Sequence, residues 1–219
     1  MLYYLREMTG PLKGQQTYTE SRRRLVDSLR REGIIRSEAV ERAMLKVPRE
    51  MFLPPSLRDE AYLDTPLPIG CAQTISAPHM CAILCEHLEL REGQRVLEVG
   101  TGSGYQAALL AEIVAPSNSN QPGHVYSLEV IQQLVSFSTE NLERTGYLDR
   151  VTVIHADGSL GYREKQPYDR VVVTAASPVV PSPLVEQLRE GGRLLIPLER
   201  GFFMQELYLV EKKKGKEVR

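Results

Sequence analysis

The chain has 219 residues, 42% apolar and 25% charged, which suits a globular protein with a sizeable core and excludes a disordered or fibrous chain. Lys and Arg number 27 against 28 Asp and Glu, a net charge of −1, so no excess of positive charge argues for nucleic acid or another polyanion. No apolar run approaches the ~18 residues of a membrane span, and 3 cysteines cannot pair completely, so a cytoplasmic protein without a disulfide framework is expected.

Met1 to Gln16 carries Arg6, Glu7 and Lys13 and has no leader-like apolar stretch. The Tyr3-Tyr4 pair is open to three readings: an anchoring strand, an oligomer contact or a frayed tail. From Thr19 to Val47 the pattern is helical. A first segment ends at Gly33; a second opens at Ser37, sets Val40, Ala43, Met44 and Val47 on one face, and stops at Pro48. The basic runs Arg22 to Arg24 and Lys212 to Lys214 read as solvated faces. Asp64 to Thr74 reads as a loop. After it, Pro78 opens a helix whose apolar stripe is Met80, Ile83, Leu84 and Leu88, with Ser76 in position to cap it. Cys81 and Cys85, one helical turn apart, read as packed thiols, because no His or Cys cluster completes a metal site.

From Arg95 onward short apolar runs alternate with amphipathic ones. Strands are expected at Arg95 to Val99, His124 to Leu128, Val151 to His155, Arg170 to Thr174, Arg193 to Pro197 and Phe203 to Glu211. Helices are expected at Tyr105 to Val114, Ile131 to Thr145 and Pro183 to Arg189, with a loop over Ala115 to Gly123. The last strand follows too closely on its predecessor for a crossover and should pair antiparallel. The fold class is therefore α/β: a doubly wound, mostly parallel sheet with an antiparallel edge strand and an N-terminal helical extension. Residues 1–90 are expected to pack on a nucleotide-binding core of residues 91–219 as one compact unit.

The segment Val96-Leu97-Glu98-Val99-Gly100-Thr101-Gly102-Ser103-Gly104-Tyr105 runs from an apolar strand into three glycines and a helix, the arrangement by which open α/β sheets bind ligands at strand ends. The dinucleotide fingerprint needs glycine where Tyr105 stands, which disfavours a nicotinamide cofactor. Glu98 brings a carboxylate suited to the cationic amino-acid part of S-adenosylmethionine. Glu129, at the next strand end, suits ribose hydroxyls; Asp157 suits an adenine amino group, with Gly158 permitting close approach. Each acidic residue alone reads equally as a cap or turn residue. Together at successive strand ends they point to one nucleoside ligand.

Here the chain resembles the class I S-adenosylmethionine-dependent methyltransferases. It is similar in particular to the protein-L-isoaspartate (D-aspartate) O-methyltransferase family, through Val47-Pro48-Arg49-Glu50-Met51-Phe52, Asp64-Thr65-Pro66-Leu67-Pro68-Ile69-Gly70 and above all Gln73-Thr74-Ile75-Ser76-Ala77-Pro78-His79-Met80. The likeness continues through Tyr168 to Ala176 and Gly191 to Pro197, covering roughly Glu38 to Leu209. It implies a Rossmann-like fold and methyl transfer from S-adenosyl-L-methionine, leaving S-adenosyl-L-homocysteine, to the α-carboxylate of L-isoaspartyl residues in damaged proteins and peptides. No metal, nucleic acid or membrane partner is implied, and a monomer is expected.

The resemblance makes Ser76 the catalytic residue. Thr74, Ile75, Ser76, Glu98, Gly100, Thr101, Gly102, Ser103, Gly104, Glu129, Asp157 and Gly158 then face the cofactor; Ser76, His79, Ala175 and Ala176 face the substrate. An α-carboxyl with a pKa of about 3.5 is already an anion at neutral pH, so positioning should matter more than a general base, and His155 reads as a capping or packed imidazole. Family members usually continue with a Phe-Val-Pro-Leu-like strand, whereas this chain stops at Glu217-Val218-Arg219, so a missing final segment is expected. The alternatives are a methyltransferase for a small molecule or RNA, or a non-catalytic nucleotide-binding module.

Overall fold

The structure, a computed structural model, describes residues 13–200, 204–213 and 216–218. The Tyr3-Tyr4 pair, Phe203 and Lys214 lie outside the described residues. Helix α1 (Lys13–Arg31) starts six residues before the expected Thr19 and closes where Gly33, at φ +74°, lets Ile34 N–H reach Leu29 C=O at 2.9 Å. Helix α2 (Glu38–Lys46) is capped by the Ser37 hydroxyl, which accepts from Val40 N–H, and buries Val40, Ala43 and Met44 as the spacing predicts. Arg22 departs from the expected solvated face. Its guanidinium donates to Tyr62 Oη at 2.7 Å, Leu45 C=O at 3.0 Å and Glu50 at 3.1 Å, which ties α1 to the segment after α2.

The expected loop over Asp64 to Thr74 is largely a hairpin, β1 (Leu67–Gly70) against β2 (Gln73–Ile75), turned by Cys71 and Ala72, both at positive φ. That pair of left-handed residues matches the twist of the strands. Helix α3 (Pro78–Leu88) follows. Its buried stripe keeps the expected Leu84 and Leu88 but is completed by Cys81, Ala82 and Cys85, which leaves Ile83 half-buried and Met80 exposed. Ala77 occupies the cap position and has no side chain to offer; the Asp64 carboxylate caps the helix instead, accepting from His79 N–H at 2.9 Å. Ser76 therefore lies one residue outside the cap.

The main sheet has the order β5-β4-β3-β6-β7-β8-β9, formed by β3 (Arg95–Val99), β4 (His124–Glu129), β5 (Val151–His155), β6 (Tyr168–Val173), β7 (Leu188–Arg200), β8 (Met204–Lys213) and β9 (Lys216–Val218). The first five are parallel; β8 and β9 are antiparallel additions at one edge. Helices α4 (Tyr105–Val114), α5 (Gln132–Arg144) and α6 (Ser182–Glu186) connect them. The expected helix to Arg189 stops early because Gln187 is fully buried. Its amide donates to Leu160 C=O at 2.9 Å and accepts from Tyr162 N–H at 2.7 Å, after which Leu188 pairs with Tyr168. The expected strand from Arg193 to Pro197 is thus the middle of a longer one, and β9 is a strand the sequence pattern did not announce. Lys212 is not merely solvated, since its ammonium donates to Glu186 and Leu188 carbonyls at 2.8 and 2.7 Å.

One apolar cluster joins Val26 and Leu29 of α1, Val40 and Met44 of α2, Ile75, Cys85 and Leu88 to Val96, Leu109, Val172 and Leu195 of the sheet and its helices. The crossovers place β4 and β5 on one side of β3 and β6 and β7 on the other, so the crevice of the doubly wound sheet opens at the carboxyl end of β3.

Candidate active site

Register fixes which residues meet at that end. Val99 is level with Leu128 and with Val173, and Glu129 with His155, so Gly100, Glu129, Asp157 and Thr174 all follow the same sheet edge. The glycine loop is pinned from both sides. Gly100 N–H donates to Leu128 C=O at 2.8 Å, and the Thr174 hydroxyl donates to Gly100 C=O at 2.6 Å. Gly100 has φ +97°, and a Cβ there would lie 2.4 Å from Thr174 Oγ1, so no other residue fits. Gly104, with φ +88°, is the cap residue of α4 and offers no side chain to the first amides of that helix.

The acidic residues serve the loop as well as any ligand. Glu129, 6% exposed, accepts from Gly102 N–H at 2.9 Å and from Ile131 N–H at 3.0 Å, one oxygen for each; both oxygens retain lone pairs for a ligand hydroxyl. Asp157 is exposed and accepts from Ser159 N–H and Oγ at 2.9 and 2.8 Å, which holds its carboxyl below the usual carboxylate range. A Cβ on Gly158 would meet Val99 Cγ1 at 2.3 Å, so this glycine lets the β5 end approach β3 closely.

Glu98 lies at the floor, fully buried, accepting from the Ser127 hydroxyl; Ser127 in turn lies 2.6 Å from Thr101 Oγ1. Burial raises its pKa from the ordinary 4.5 to about 8, with Glu129 adding to the rise and the Ser127 hydrogen bond opposing it. Its Oε1 has no hydrogen-bond partner among the described residues. Ser103 and Thr101 are buried, and Ser103 C=O is held by Asn141 Nδ2 at 3.0 Å.

The hairpin carrying Thr74, Ile75 and Ser76 stands against this loop: a Cβ on Gly102 would lie 3.5 Å from Ile69 Cδ1 of β1. Ile75 is buried, Thr74 exposed and Ser76 half-buried. His79 is half-exposed, with Nδ1 3.0 Å from each Asp64 oxygen, so its other nitrogen faces away from the clamp. Ala175 and Ala176 are exposed beyond β6, and the next residue, Ser177, bridges in parallel to Leu198 of β7. His155 is exposed and bonds Val130 C=O at 3.0 Å, so it is neither packed nor a helix cap. Cys81 and Cys85 are free and buried; burial pushes the Cys81 thiol up to about 11 and the Cys85 thiol higher still, so both are inert packing groups.

The sequence pattern missed Ser127 and Thr174, which hold the loop, and Asp64, which aims His79. A lone serine inside the apolar run His124 to Leu128 was the available signal for the first. No motif pointed to the second and third in these roles.

The sequence profile described as Protein-L-isoaspartate(D-aspartate) O-methyltransferase (PCMT) matches residues 20–219. The chain belongs to this family. A relative from Hyperthermus butylicus, named protein-L-isoaspartate O-methyltransferase, is 57% identical over 202 residues, covering 91% of this chain and 83% of its own. One of the same name from Staphylothermus marinus is 60% identical over 181 residues, covering 83% and 80%. Among solved structures, a protein-L-isoaspartate O-methyltransferase of Plasmodium falciparum in complex with S-adenosyl-L-homocysteine superposes with a TM-score of 0.79 at 33% identity, covering 92% of both chains.

Proposed function

We propose that this chain is a protein-L-isoaspartate O-methyltransferase that transfers a methyl group from S-adenosyl-L-methionine to the free α-carboxylate of L-isoaspartyl residues in peptides and proteins. The observation that carries the proposal is the apposition of the two motifs: the hairpin bearing Thr74, Ile75 and Ser76 packs on Gly102 of a loop ringed by Glu98, Glu129 and Asp157. The residues suit the cofactor. A buried carboxyl oxygen without a partner among the described residues, Glu98 Oε1, fits the α-ammonium of an amino acid, and the lone pairs left on Glu129 fit a ribose. Asp157, exposed at the end of β5, suits an adenine amino group, whereas Gly158 serves the packing of that end against Val99 rather than the ligand.

The cofactor supplies an electrophilic methyl on a sulfonium. The acceptor carboxylate is already ionised at neutral pH, so the protein's work is to hold it in line. We assign to the Ser76 hydroxyl a hydrogen bond to that carboxylate, and to Thr74, Ile75 and the Ser76 backbone the wall shared by cofactor and acceptor. His79, steadied by Asp64, and the exposed Ala175 and Ala176 line the acceptor side. Exposed backbone there suits an extended peptide read by its main chain rather than its side chains. In this division residues 1–90 supply most of the acceptor side and residues 91–219 most of the cofactor side, with Thr74 to Ser76 shared and Ala175 and Ala176 facing the acceptor.

In the ester product the neighbouring backbone amide nitrogen attacks the ester carbonyl and expels methanol without the enzyme, giving a succinimide whose hydrolysis partly restores normal aspartate, so the role we assign is repair. Three free cysteines support a reducing, cytoplasmic setting; a monomer acting on unrelated proteins completes the proposal. Replacing Ser76→Ala tests the assignment. One hydrogen bond to a charged group is worth about 1.5 to 3 kcal/mol, so kcat/KM for an isoaspartyl peptide should fall about 10- to 100-fold. Affinity for S-adenosyl-L-homocysteine should change little; full retained efficiency would remove Ser76 from the mechanism.

A further inference from the structure

The entry to α3 holds two polar side chains with hydrogen-bonding capacity to spare. Ser76 and His79 are separated only by Ala77, at the cap position, and Pro78, the first residue of the helix. Neither Ser76 Oγ nor His79 Nε2 has a hydrogen-bond partner among the described residues. The contacts of the two residues run instead through Ser76 C=O, 3.8 Å from Cys81 Sγ, and through His79 N–H and Nδ1. The two side chains do not bond one another, so His79 is not a base for the Ser76 hydroxyl.

Asp64 does more at this corner than cap a helix. The bond from His79 N–H to Oδ1, at 2.9 Å, would suffice for a cap, yet Nδ1 of the same residue also stands 3.0 Å from each oxygen. A carboxylate only accepts, which puts the ring proton on Nδ1 and leaves Nε2 of the neutral imidazole as an acceptor. The ring is thereby fixed in orientation and tautomer while the side chain stays 37% exposed. The same clamp closes Asp64 to His79 into one loop that carries the β1–β2 hairpin and Ser76, so hydroxyl and imidazole belong to one braced piece of structure.

An isoaspartyl residue has a signature that suits this pair. Its free carboxylate and its own amide N–H sit on the same carbon, whereas in aspartate the free carboxylate is one carbon further from the N–H. Reading the signature takes one donor and one acceptor close together, and Ser76 and His79 supply one of each. We infer that His79 Nε2 accepts the amide N–H of the isoaspartyl residue while the Ser76 hydroxyl donates to its α-carboxylate. The inference rests on the isoaspartyl reading of the acceptor, and it makes His79, held by Asp64, a specificity-determining residue for that reaction.

The test measures kcat/KM of the full chain for methyl transfer to an isoaspartyl peptide and to its ester analogue, in which oxygen replaces the N–H of that one residue. The unaltered protein should prefer the amide about 3- to 10-fold, the range of one neutral hydrogen bond. His79→Ala leaves the backbone cap to Asp64 in place and should abolish the preference by lowering efficiency with the amide alone. His79→Phe, which keeps a ring but offers no acceptor, should do the same. A preference left intact in either variant, including an equal fall for both peptides, would make His79 merely structural and overturn the inference. The unaltered protein also decides by itself, since equal efficiency with the two peptides overturns the inference whether or not the variants fold. Methylation of neither peptide would overturn the isoaspartyl reading as well, whereas methylation of both without preference overturns this inference alone.

Discussion

Replacing Glu98 by Gln should make the protein more stable at alkaline pH, and the structure sets the size and sign of the effect. Glu98 is fully buried, accepts from the Ser127 hydroxyl and has a pKa raised by burial from 4.5 to about 8. Between those values the folded chain holds a proton that the unfolded chain has released, so stability falls as pH rises from about 4.5 to about 8. At about 1.4 kcal/mol per pH unit, that interval caps the loss at about 5 kcal/mol. Relaxation and water entry should reduce it, and 2 to 3 kcal/mol is a working figure, roughly. Glutamine accepts from Ser127 and carries no charge, so Glu98→Gln should lose this slope while matching the original protein near pH 5. Urea unfolding of the ligand-free proteins at pH 5, 6.5 and 8, roughly spanning the titration, reads the difference directly. Parallel pH profiles for the two proteins would refute the reasoning.

Asp157→Ala should weaken S-adenosyl-L-homocysteine binding about 10-fold by calorimetry, the effect of one hydrogen bond to a charged group. Its loss of the Ser159 cap should cost only about 1 kcal/mol of stability, and unchanged affinity would remove it from the site. Gly158→Ala forces a methyl to within 2.3 Å of Val99 Cγ1, so the urea midpoint should fall by the equivalent of about 1 to 3 kcal/mol. A midpoint equal to the original would mean that the β5 end moves freely.

Where structure follows from local chemistry, the sequence was readable. The strand-glycine-helix unit from Arg95 to Val114 has the expected bounds, because apolar alternation, positive-φ glycines and a helix start are all local signals. Ser37 caps α2 and Gly146, at φ +75°, ends α5 for the same reason. The misses share another cause: a side chain reaching across the fold. Gln187 ends α6 through Leu160 and Tyr162; Asp64 caps α3 from 15 residues away; Arg22 leaves its solvated face for Tyr62 and Glu50. At the site, the order of the acidic residues was legible. Their duty to backbone amides, and the pairing of Glu98 with Ser127, depend on strand register that no spacing encodes.

The central claim is the acceptor, and it is tested most directly with methyl-labelled S-adenosyl-L-methionine and two peptides identical except for one isoaspartyl or aspartyl residue. The account predicts base-labile label on the isoaspartyl peptide alone. Label on both peptides, or on neither while S-adenosyl-L-homocysteine binds, would contradict it.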